Sequence, residues 1–353
     1  MTHLSLFTGI GGLDLAAEWA GFETVGQCEW ADYPTKVLER HWPEVERWRD
    51  TMDKIDKAVE RLKIASEMSL TYYGEPLIVT YSGGKDSDVC LALAKAAGIP
   101  YEVLHNHTTA DAPETVYHIR ETFKRLEGED VKCTVKWPAY KGKSVTMWTL
   151  IPQNLMPPTR FMRYCCSVLK EGGGAGRMIC TGVRWAEAAR RKNSRGIYET
   201  SNADKSKRII LSNDNDDRRR LFEDCKIKSK RVVNPIIDWS TQDVLEYAAA
   251  EKIKLNPLYR CGFGRVGCVG CPMSGKRNMI KEFARYPTYE RAYIRAFDAM
   301  LAERRRRRMP TEPAERRRRW MPTDWQTGVD VMHWWLDDGV LPGQMEIEEI
   351  GED

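Results

Sequence analysis

Residues 82–87, SGGKDS, place two glycines, two serines, a lysine and an aspartate side by side. An apolar, β-rich run (77–81) precedes this stretch, and an apolar helical run (88–97) follows it directly. Glycines let backbone N–H groups approach an anion, a helix N-terminus adds partial positive charge, and Lys85 adds a full one. The stretch therefore predicts a phosphate-binding loop between a strand and a helix, with an ordinary glycine-rich turn as the alternative.

Two cysteine pairs form the second group of residues whose types and spacing could carry chemistry. Cys165 and Cys166 are adjacent, whereas Cys268 and Cys271 form a CxxC pair followed by proline. Four thiolates from two loops satisfy a [4Fe–4S] cluster, and they hold Zn²⁺ equally well. Cys261, just before the CxxC pair, is an alternative ligand. The other cysteines are most simply core or incidental thiols: Cys28, Cys90, Cys133, Cys180 and Cys225.

Composition limits the class of protein. The 353 residues have room for about two domains, and 42% apolar with 30% charged residues is typical of a soluble globular chain. No apolar run approaches the ~20 residues of a membrane span, and no export signal is evident, so we expect a cytoplasmic protein without membrane contact. Ten cysteines in a reducing compartment indicate metal or redox chemistry rather than disulfides.

Positive charge is unevenly distributed although the net charge is only +4. Two arginine blocks, Arg304–Arg308 and Arg316–Arg319, flank a proline-containing spacer, and a further basic zone covers 184–231. Such blocks suit nucleic-acid phosphates, and a solvated helix face or a basic linker is the alternative.

Alternating strands and helices predict an α/β fold with a doubly wound parallel sheet, in which ligands bind at the carboxyl ends of the strands. We predict three regions: a βαβ segment (1–50), a sheet domain (52–280) and a basic helical region (281–353). Residues 192–231 are polar and predict an insertion or lid. His105 ends the second strand of the sheet domain and His107 follows it, and both are more typical of loop residues beside a polar pocket than of metal ligands.

Several further stretches carry a family resemblance. They are TTADAPET (108–115), RYCCSVLK (163–170), GVRWAEAARR (182–191), and the long segment 233–276 that contains NPLY and the CxxC pair. Together with SGGKDS, which resembles the PP-loop of ATP pyrophosphatases, they resemble the phosphoadenosine phosphosulfate (PAPS) reductase family. The resemblance implies an adenine nucleotide α-hydrolase fold and cleavage of ATP between its α and β phosphates. SGGKDS is called the PP-loop below.

The resemblance also implies a set of site residues. ATP with Mg²⁺ would be held by Ser82, Gly83, Gly84, Ser87 and Gly182. Lys85 and Arg184 would stabilise the leaving pyrophosphate, and Asp86 would help to place the metal. The ligands of a [4Fe–4S] cluster, favoured over zinc by the resemblance to sulfonucleotide reductases and DNA-phosphorothioation proteins, would be Cys165, Cys166, Cys268 and Cys271.

One expected residue of sulfonucleotide reductases has no counterpart here. Those enzymes attack sulfur with a C-terminal cysteine, but residues 272–353 contain none. The resemblance then favours activation of a nucleic-acid oxygen, in DNA rather than RNA, for sulfur transfer from a donor such as a cysteine desulfurase. The alternatives are a sulfonucleotide reductase that uses a partner's cysteine and a non-catalytic DNA-binding accessory of a methyltransferase. A homo-oligomer is left open.

The first fifty residues carry a different resemblance. LSLFTGIGGLDLAAEWAGF, followed by GQCEW, closely resembles the opening of DNA cytosine-C5 methyltransferases. In that family the loop and the acid hold S-adenosylmethionine, which implies Phe7, Gly9, Gly11 and Glu29. The catalytic Pro-Cys loop, the ENV motif and the target-recognition region are missing. We therefore expect a remnant that keeps at most half of an S-adenosylmethionine site and performs no methyl transfer alone.

Overall fold

The computed structural model describes residues 1–6, 9–29, 32–48, 54–201, 210–212, 230–307 and 325–336. The backbone forms two compact units, residues 1–60 and residues 61–353. Among the described helices, none has the length and apolar character needed to cross a membrane.

The first unit contains a three-stranded parallel sheet in the order β1-β2-β3. Helices connect consecutive strands, as the glycine turn after the first strand predicts. The elements are β1 (Thr2–Leu6), α1 (Gly12–Trp19), β2 (Glu23–Cys28), α2 (Asp32–His41) and β3 (Glu46–Trp48). Helix α3 (Lys54–Tyr73) follows and has most of its length in the second unit.

The second unit is built on a seven-stranded sheet in the order β11-β10-β12-β9-β4-β5-β6. Five neighbours, β12-β9-β4-β5-β6, are parallel, so the predicted doubly wound sheet is confirmed. Its strands are β4 (Leu77–Thr80), β5 (Tyr101–Asn106), β6 (Cys133–Lys136), β9 (Met178–Cys180), β10 (Tyr198–Ser201), β11 (Ile210–Leu211) and β12 (Lys230–Val233), and a separate hairpin joins β7 (Ala139–Tyr140) to β8 (Lys143–Ser144).

One edge of this sheet corrects the sequence prediction. The sequence predicts an insertion over 192–231, yet β10 lies inside that range and pairs antiparallel with both β11 and β12. Ile197, Tyr198 and Leu211 are buried there, and this burial of apolar side chains explains why the segment joins the sheet. The charged run 213–220 lies outside the described residues.

Helices surround the sheet, and the last three of them form the predicted helical C-terminal region. They are α4 (Lys85–Ala96), α5 (Pro113–Glu127), α6 (Met147–Asn154), α7 (Tyr164–Leu169), α8 (Ala189–Lys192), α9 (Thr241–Ala250), α10 (Lys276–Arg285), α11 (Pro287–Arg306) and α12 (Gly328–Leu336). The last three helices and α6 share one apolar core, which includes Phe283, Tyr293, Phe297 and Trp335. This core also contains Cys268, so the C-terminal region supports the segment that carries the CxxC pair.

Candidate functional site

The PP-loop lies at the carboxyl end of β4, a central and buried strand, and leads directly into α4. Gly83 has a φ of +72°, in the left-handed region, and a Cβ there would lie 3.0 Å from Cγ1 of Ile119. The backbone conformation therefore strongly favours glycine at this position, and the close approach of Ile119 adds to that preference. The chain reaches the N-terminus of α4 with its backbone close to the neighbouring helix α5.

The hydroxyl of Ser87 fixes the shape of the loop. It donates to the Gly84 carbonyl at 2.7 Å and accepts from the Gly84 N–H at 3.2 Å. The Ser82 hydroxyl lies 3.3 Å from the Ser87 hydroxyl oxygen. The structure thus brings together the four loop residues predicted to hold phosphates, Ser82, Gly83, Gly84 and Ser87.

A buried charge cluster stands at the start of α4. The Asp86 carboxylate lies between two cations, with Lys85 Nζ at 3.2 Å and Arg184 Nε at 2.7 Å. Arg184 is only 2% exposed, and one of its Nη atoms also donates to the Trp239 carbonyl at 3.3 Å. Its observed contact with Asp86 makes Arg184 a residue that positions this carboxylate.

Gly182 permits this cluster to form. A Cβ at Gly182 would lie 2.9 Å from the backbone carbonyl of Asp86, so a larger residue would separate the segment after β9 from α4. The predicted residues Lys85, Asp86, Gly182 and Arg184 are therefore neighbours.

Two residues of the NPLY segment also belong to the site, although no role is predicted for them from the sequence. The Lys85 N–H donates to the Tyr259 hydroxyl at 2.9 Å, and Asn256 Nδ2 donates to the Gly83 carbonyl at 3.0 Å. Burial raises the pKa of Tyr259 to about 12. Its hydroxyl therefore keeps its proton at neutral pH and can donate to a phosphate oxygen.

The four predicted metal-binding cysteines line one cavity. Cys165 and Cys166 lie in the first turn of α7, and Cys268 and Cys271 come from the CxxC loop. We call this the cysteine cavity; its further lining residues are Met147, Pro158, Leu169, Lys170, Gly270, Pro272 and Tyr293. Cys261 is exposed at the end of a short 3₁₀ turn and is not among the residues that line it.

One thiol of this cavity, Cys166, has a lowered pKa, whereas the pKa values of Cys165 and Cys268 are raised. Hydrogen bonds from Cys165 and from Arg163, whose Nη2 lies 3.4 Å from the Cys166 sulfur, lower the pKa of Cys166 to about 5. Burial raises the pKa of Cys268 to about 11, and the charge of Cys268 in turn raises the pKa of Lys170. Four sulfur donors beside two cations fit an anionic metal–thiolate group, and this donor set suits iron–sulfur and zinc alike.

Helices α10 and α11 hold the CxxC loop in place. Gly270 has a φ of +71°, and its N–H donates to the Glu282 carboxylate at 2.6 Å. The Tyr293 hydroxyl donates to the Val269 carbonyl at 2.9 Å. Burial raises the pKa of Glu282 to about 7.

In the first unit, the predicted glycine loop meets the predicted acid. The Gly9 N–H donates to Glu29 Oε2 at 2.6 Å. Gly9 and Gly11 both have left-handed φ values, +59° and +89°, and a Cβ at Gly11 would collide with the Trp42 ring. Phe7 lies outside the described residues.

Comparisons with known proteins place these features in context. Residues 76–274 match the family model of the phosphoadenosine phosphosulfate reductase domain, and residues 1–76 match that of the C-5 cytosine-specific DNA methylases. An uncharacterized protein of Methanocaldococcus jannaschii is 27% identical over 219 residues, which cover 59% of this chain and 38% of that protein. The adenosine 5′-phosphosulfate reductase of a Neisseria meningitidis serogroup A strain is 50% identical over 38 residues, or 11% of this chain and 16% of the reductase.

The chain thus spans well under two thirds of the length of these curated relatives. Among solved structures, the PAPS reductase of Candida auris in complex with phosphate is similar with a TM-score of 0.38 and 14% identity, covering 68% of this chain and 96% of that one. A score this low supports no argument about activity.

Proposed function

The chain belongs to the phosphoadenosine phosphosulfate reductase domain family, and we propose that it adenylylates a nucleic-acid oxygen with ATP so that sulfur can replace that oxygen. The observation that supports this proposal best is the pairing of two sites in one unit. A glycine loop with a buried lysine stands at the N-terminus of α4, and four cysteines line one cavity.

The PP-loop supplies the features that adenylyl transfer requires. Ser82, Gly83, Gly84 and Ser87 would hold the β and γ phosphates, and the Tyr259 hydroxyl would donate to one of their oxygens. A substrate oxygen attacks the α-phosphorus, the bond to the bridging oxygen breaks, and pyrophosphate leaves with the electron pair. Lys85 stabilises this developing charge, and its partial burial strengthens the effect because the local dielectric is low.

Asp86 and Arg184 would act together in this step. Mg²⁺ prefers carboxylate and phosphate oxygens, so Asp86 is the group of this cluster that would place the ion. Arg184 fixes the orientation of Asp86 through its 2.7 Å contact. Arg184 would also stabilise charge on the leaving pyrophosphate, the role expected from the sequence.

The cysteine cavity would serve the second half of the reaction. Cys165, Cys166, Cys268 and Cys271 would hold a [4Fe–4S] cluster, with Zn²⁺ as the alternative, and the cluster would supply a place where sulfur is held. Sulfur from a donor such as a cysteine desulfurase arrives as a persulfide, and a thiol reductant must supply two electrons to bring it to the level of sulfide. The sulfide then displaces AMP from the activated atom, and AMP leaves with the electron pair of the broken bond. Lys170 and Arg163 keep the local charge balanced.

Exposed arginines favour a nucleic acid as the substrate, and DNA is the preferred class. Arg305, Arg306 and Arg307 are exposed at the C-terminal end of α11. Guanidinium groups suit phosphate backbones. The second arginine block, Arg316–Arg319, lies outside the described residues.

The test is pyrophosphate release by anaerobically purified protein given ATP with DNA or RNA. We expect release that depends on the nucleic acid and on Lys85. Pyrophosphate formed equally well without Lys85, or none under any condition, would contradict the proposal.

Sulfonucleotide reduction with a partner's cysteine is the second candidate. The short stretch shared with an adenosine 5′-phosphosulfate reductase favours it. Thioredoxin-dependent sulfite formation from adenylyl sulfate or PAPS would replace the leading proposal with this one.

A non-catalytic DNA-binding accessory of a methyltransferase is the third candidate, and the methylase match of residues 1–76 favours it. Binding of S-adenosylmethionine measured by calorimetry, and lost in Glu29→Ala, would support this role for the first unit.

A further inference from the structure

We propose that His105, His107 and Asp111 bind a divalent transition-metal ion at a site separate from the cysteine cavity. One ligand atom from each of the three residues lies within 4.8 Å of the others. His105 and Asp111 are buried, and the His107 side chain is 20% exposed. The sequence indicated ordinary loop histidines, but the end of β5 and the loop before α5 bring all three side chains together.

The environment of His105 prepares one nitrogen for a metal. Its Nδ1 lies 2.9 Å from the Tyr81 carbonyl oxygen. A carbonyl oxygen only accepts hydrogen bonds, so Nδ1 carries the proton and Nε2 keeps its lone pair. Metal-binding histidines usually donate their second ring nitrogen to a carbonyl or carboxylate in this way, which fixes both tautomer and orientation.

The other two side chains are also oriented for binding. The Thr108 N–H donates to Asp111 Oδ2 at 3.1 Å and fixes the carboxylate. His107 packs its ring edge-on against Trp137, with ring centroids 4.5 Å apart. Its Nδ1 is 4.0 Å from Asp111 Oδ2, too far for a hydrogen bond. Burial lowers the pKa of His107 below its ordinary value.

This donor set selects the class of ion. Two imidazoles and one carboxylate suit Zn²⁺, Fe²⁺ or a similar ion rather than Mg²⁺. Ligand atoms around a tetrahedral zinc lie about 3.3 Å apart, so the side chains must close by up to about 1.5 Å. Three protein ligands leave at least one position for water or a substrate atom, as in catalytic zinc sites.

The neighbours of the site indicate what would occupy its open coordination position. The Ala110 carbonyl accepts from the Val269 N–H at 2.8 Å, and the Thr108 hydroxyl lies 3.4 Å from the Cys268 sulfur. Tyr81, the partner of His105, directly precedes the PP-loop. The site therefore lies between the PP-loop and the CxxC loop, where an oxygen or sulfur of a substrate would complete the coordination. It depends on no step of the reaction proposed above.

Cobalt binding to the untagged full-length protein, purified anaerobically with its cysteine site occupied, tests this site. X-ray absorption at the cobalt edge reports the ligands of cobalt alone, even in the presence of iron or zinc. We expect one Co²⁺ with nitrogen and oxygen ligands and no sulfur ligand. His107→Ala and Asp111→Asn should each weaken Co²⁺ binding by about 100-fold or more. The matched control His333→Ala removes an exposed histidine of α12 and should leave binding unchanged.

Two variants keep the result decisive if one of them folds poorly. Asp111→Asn retains an oxygen that accepts from Thr108, and circular dichroism identifies the variants that keep the native fold. Folded variants that bind Co²⁺ as tightly as the wild type would overturn the proposal. So would sulfur ligands at the cobalt edge, or a wild-type protein that takes up no Co²⁺.

Discussion

Six consecutive residues supply most of the PP-loop site, whereas the cysteine cavity draws its ligands from two distant segments. The hydrogen bonds of Ser87 shape the PP-loop within its own turn. The CxxC loop instead takes its shape from Glu282 on α10 and Tyr293 on α11. Local sequence therefore determines the first site, and the packing of the C-terminal helices determines the second.

This difference predicts that each site can be lost without the other. The PP-loop should keep its shape when the cysteine ligands change, because its stabilising contacts lie in 82–87 and in the NPLY segment. The cysteine cavity should survive the loss of a phosphate-binding charge. The predictions below test this independence, beginning with the largest expected effect.

Lys85→Ala should lower nucleic-acid-dependent pyrophosphate release by about 100- to 1,000-fold, because one group that stabilises developing charge contributes that much in comparable sites. Its iron and sulfide content should equal that of the wild type. Pyrophosphate assays and metal analysis of the same anaerobic preparation check both statements.

Lys95→Ala is the matched control, since Lys95 lies near the other end of the same helix. Its ammonium pairs with Glu129 at the surface at 2.7 Å, and its side chain is 58% exposed. We expect wild-type pyrophosphate release from this variant. An equal loss in both variants would mean that the effect arises from helix stability rather than from charge at the loop.

Cys268→Ser should remove most of the iron or zinc, because it replaces a buried thiolate donor with a hydroxyl that keeps its proton. ATP binding, measured by calorimetry, should change little. Cys261→Ser should keep the full metal content, since Cys261 is exposed and is not among the cavity-lining residues. Metal loss in Cys261→Ser instead would place that cysteine among the ligands.

The contrast between local and distant contacts also explains how much of each site could be predicted from the sequence. SGGKDS and its flanking apolar runs predicted the strand, the loop and the helix, because each follows from neighbouring residues. The contacts of Asn256 and Tyr259 with the loop could not be predicted, since they join residues 173 and 174 positions apart. NPLY contributed to the family resemblance, but nothing in its spacing indicates what Tyr259 contacts.

Longer-range packing could not be predicted from the sequence for the same reason. The polar composition of 192–231 predicted an insertion, although a few apolar residues suffice to form β10 and the edge strand β11. The Trp148 ring packs against Tyr293 with centroids 4.8 Å apart, and nothing in the sequence around Trp148 indicates this contact. In each case the pairing partner lies in a distant segment, and composition alone gives no information about it.

Tyr259→Phe tests the contact between the NPLY segment and the PP-loop. It leaves the Lys85 N–H without its hydroxyl partner and removes the predicted donor to phosphate. We expect the Kd for ATP to rise by up to about 10-fold, since a single hydrogen bond contributes about 0.5–1.5 kcal/mol. Metal content should not change. Unchanged ATP affinity with intact folding would show that Tyr259 supports the loop without contacting the nucleotide.

Glu114→Gln should have the smallest effect, and it addresses the contact that links α5 to the junction of α10 and α11. Glu114, in the first turn of α5, accepts from Arg285 Nη2 and from the Tyr286 hydroxyl, both at 2.7 Å. Burial raises the pKa of Glu114, but these hydrogen bonds outweigh burial and hold the pKa below its ordinary value. At neutral pH the substitution should lower the free energy of unfolding by up to about 1 kcal/mol, because the pair is partly exposed.

The pH dependence gives this prediction its sign. A carboxyl group whose pKa is lowered by folding stabilises the protein above its ordinary pKa, and that contribution disappears as the pH falls through the lowered value. The difference between wild type and Glu114→Gln should therefore shrink on acidification, as measured by urea unfolding near pH 7 and below about pH 4. Glu121→Gln on the same helix, which removes an exposed pair with Lys254, should change stability much less. A difference that persists in acid would mean that Glu114 joins α5 to the junction of α10 and α11 through packing rather than through charge.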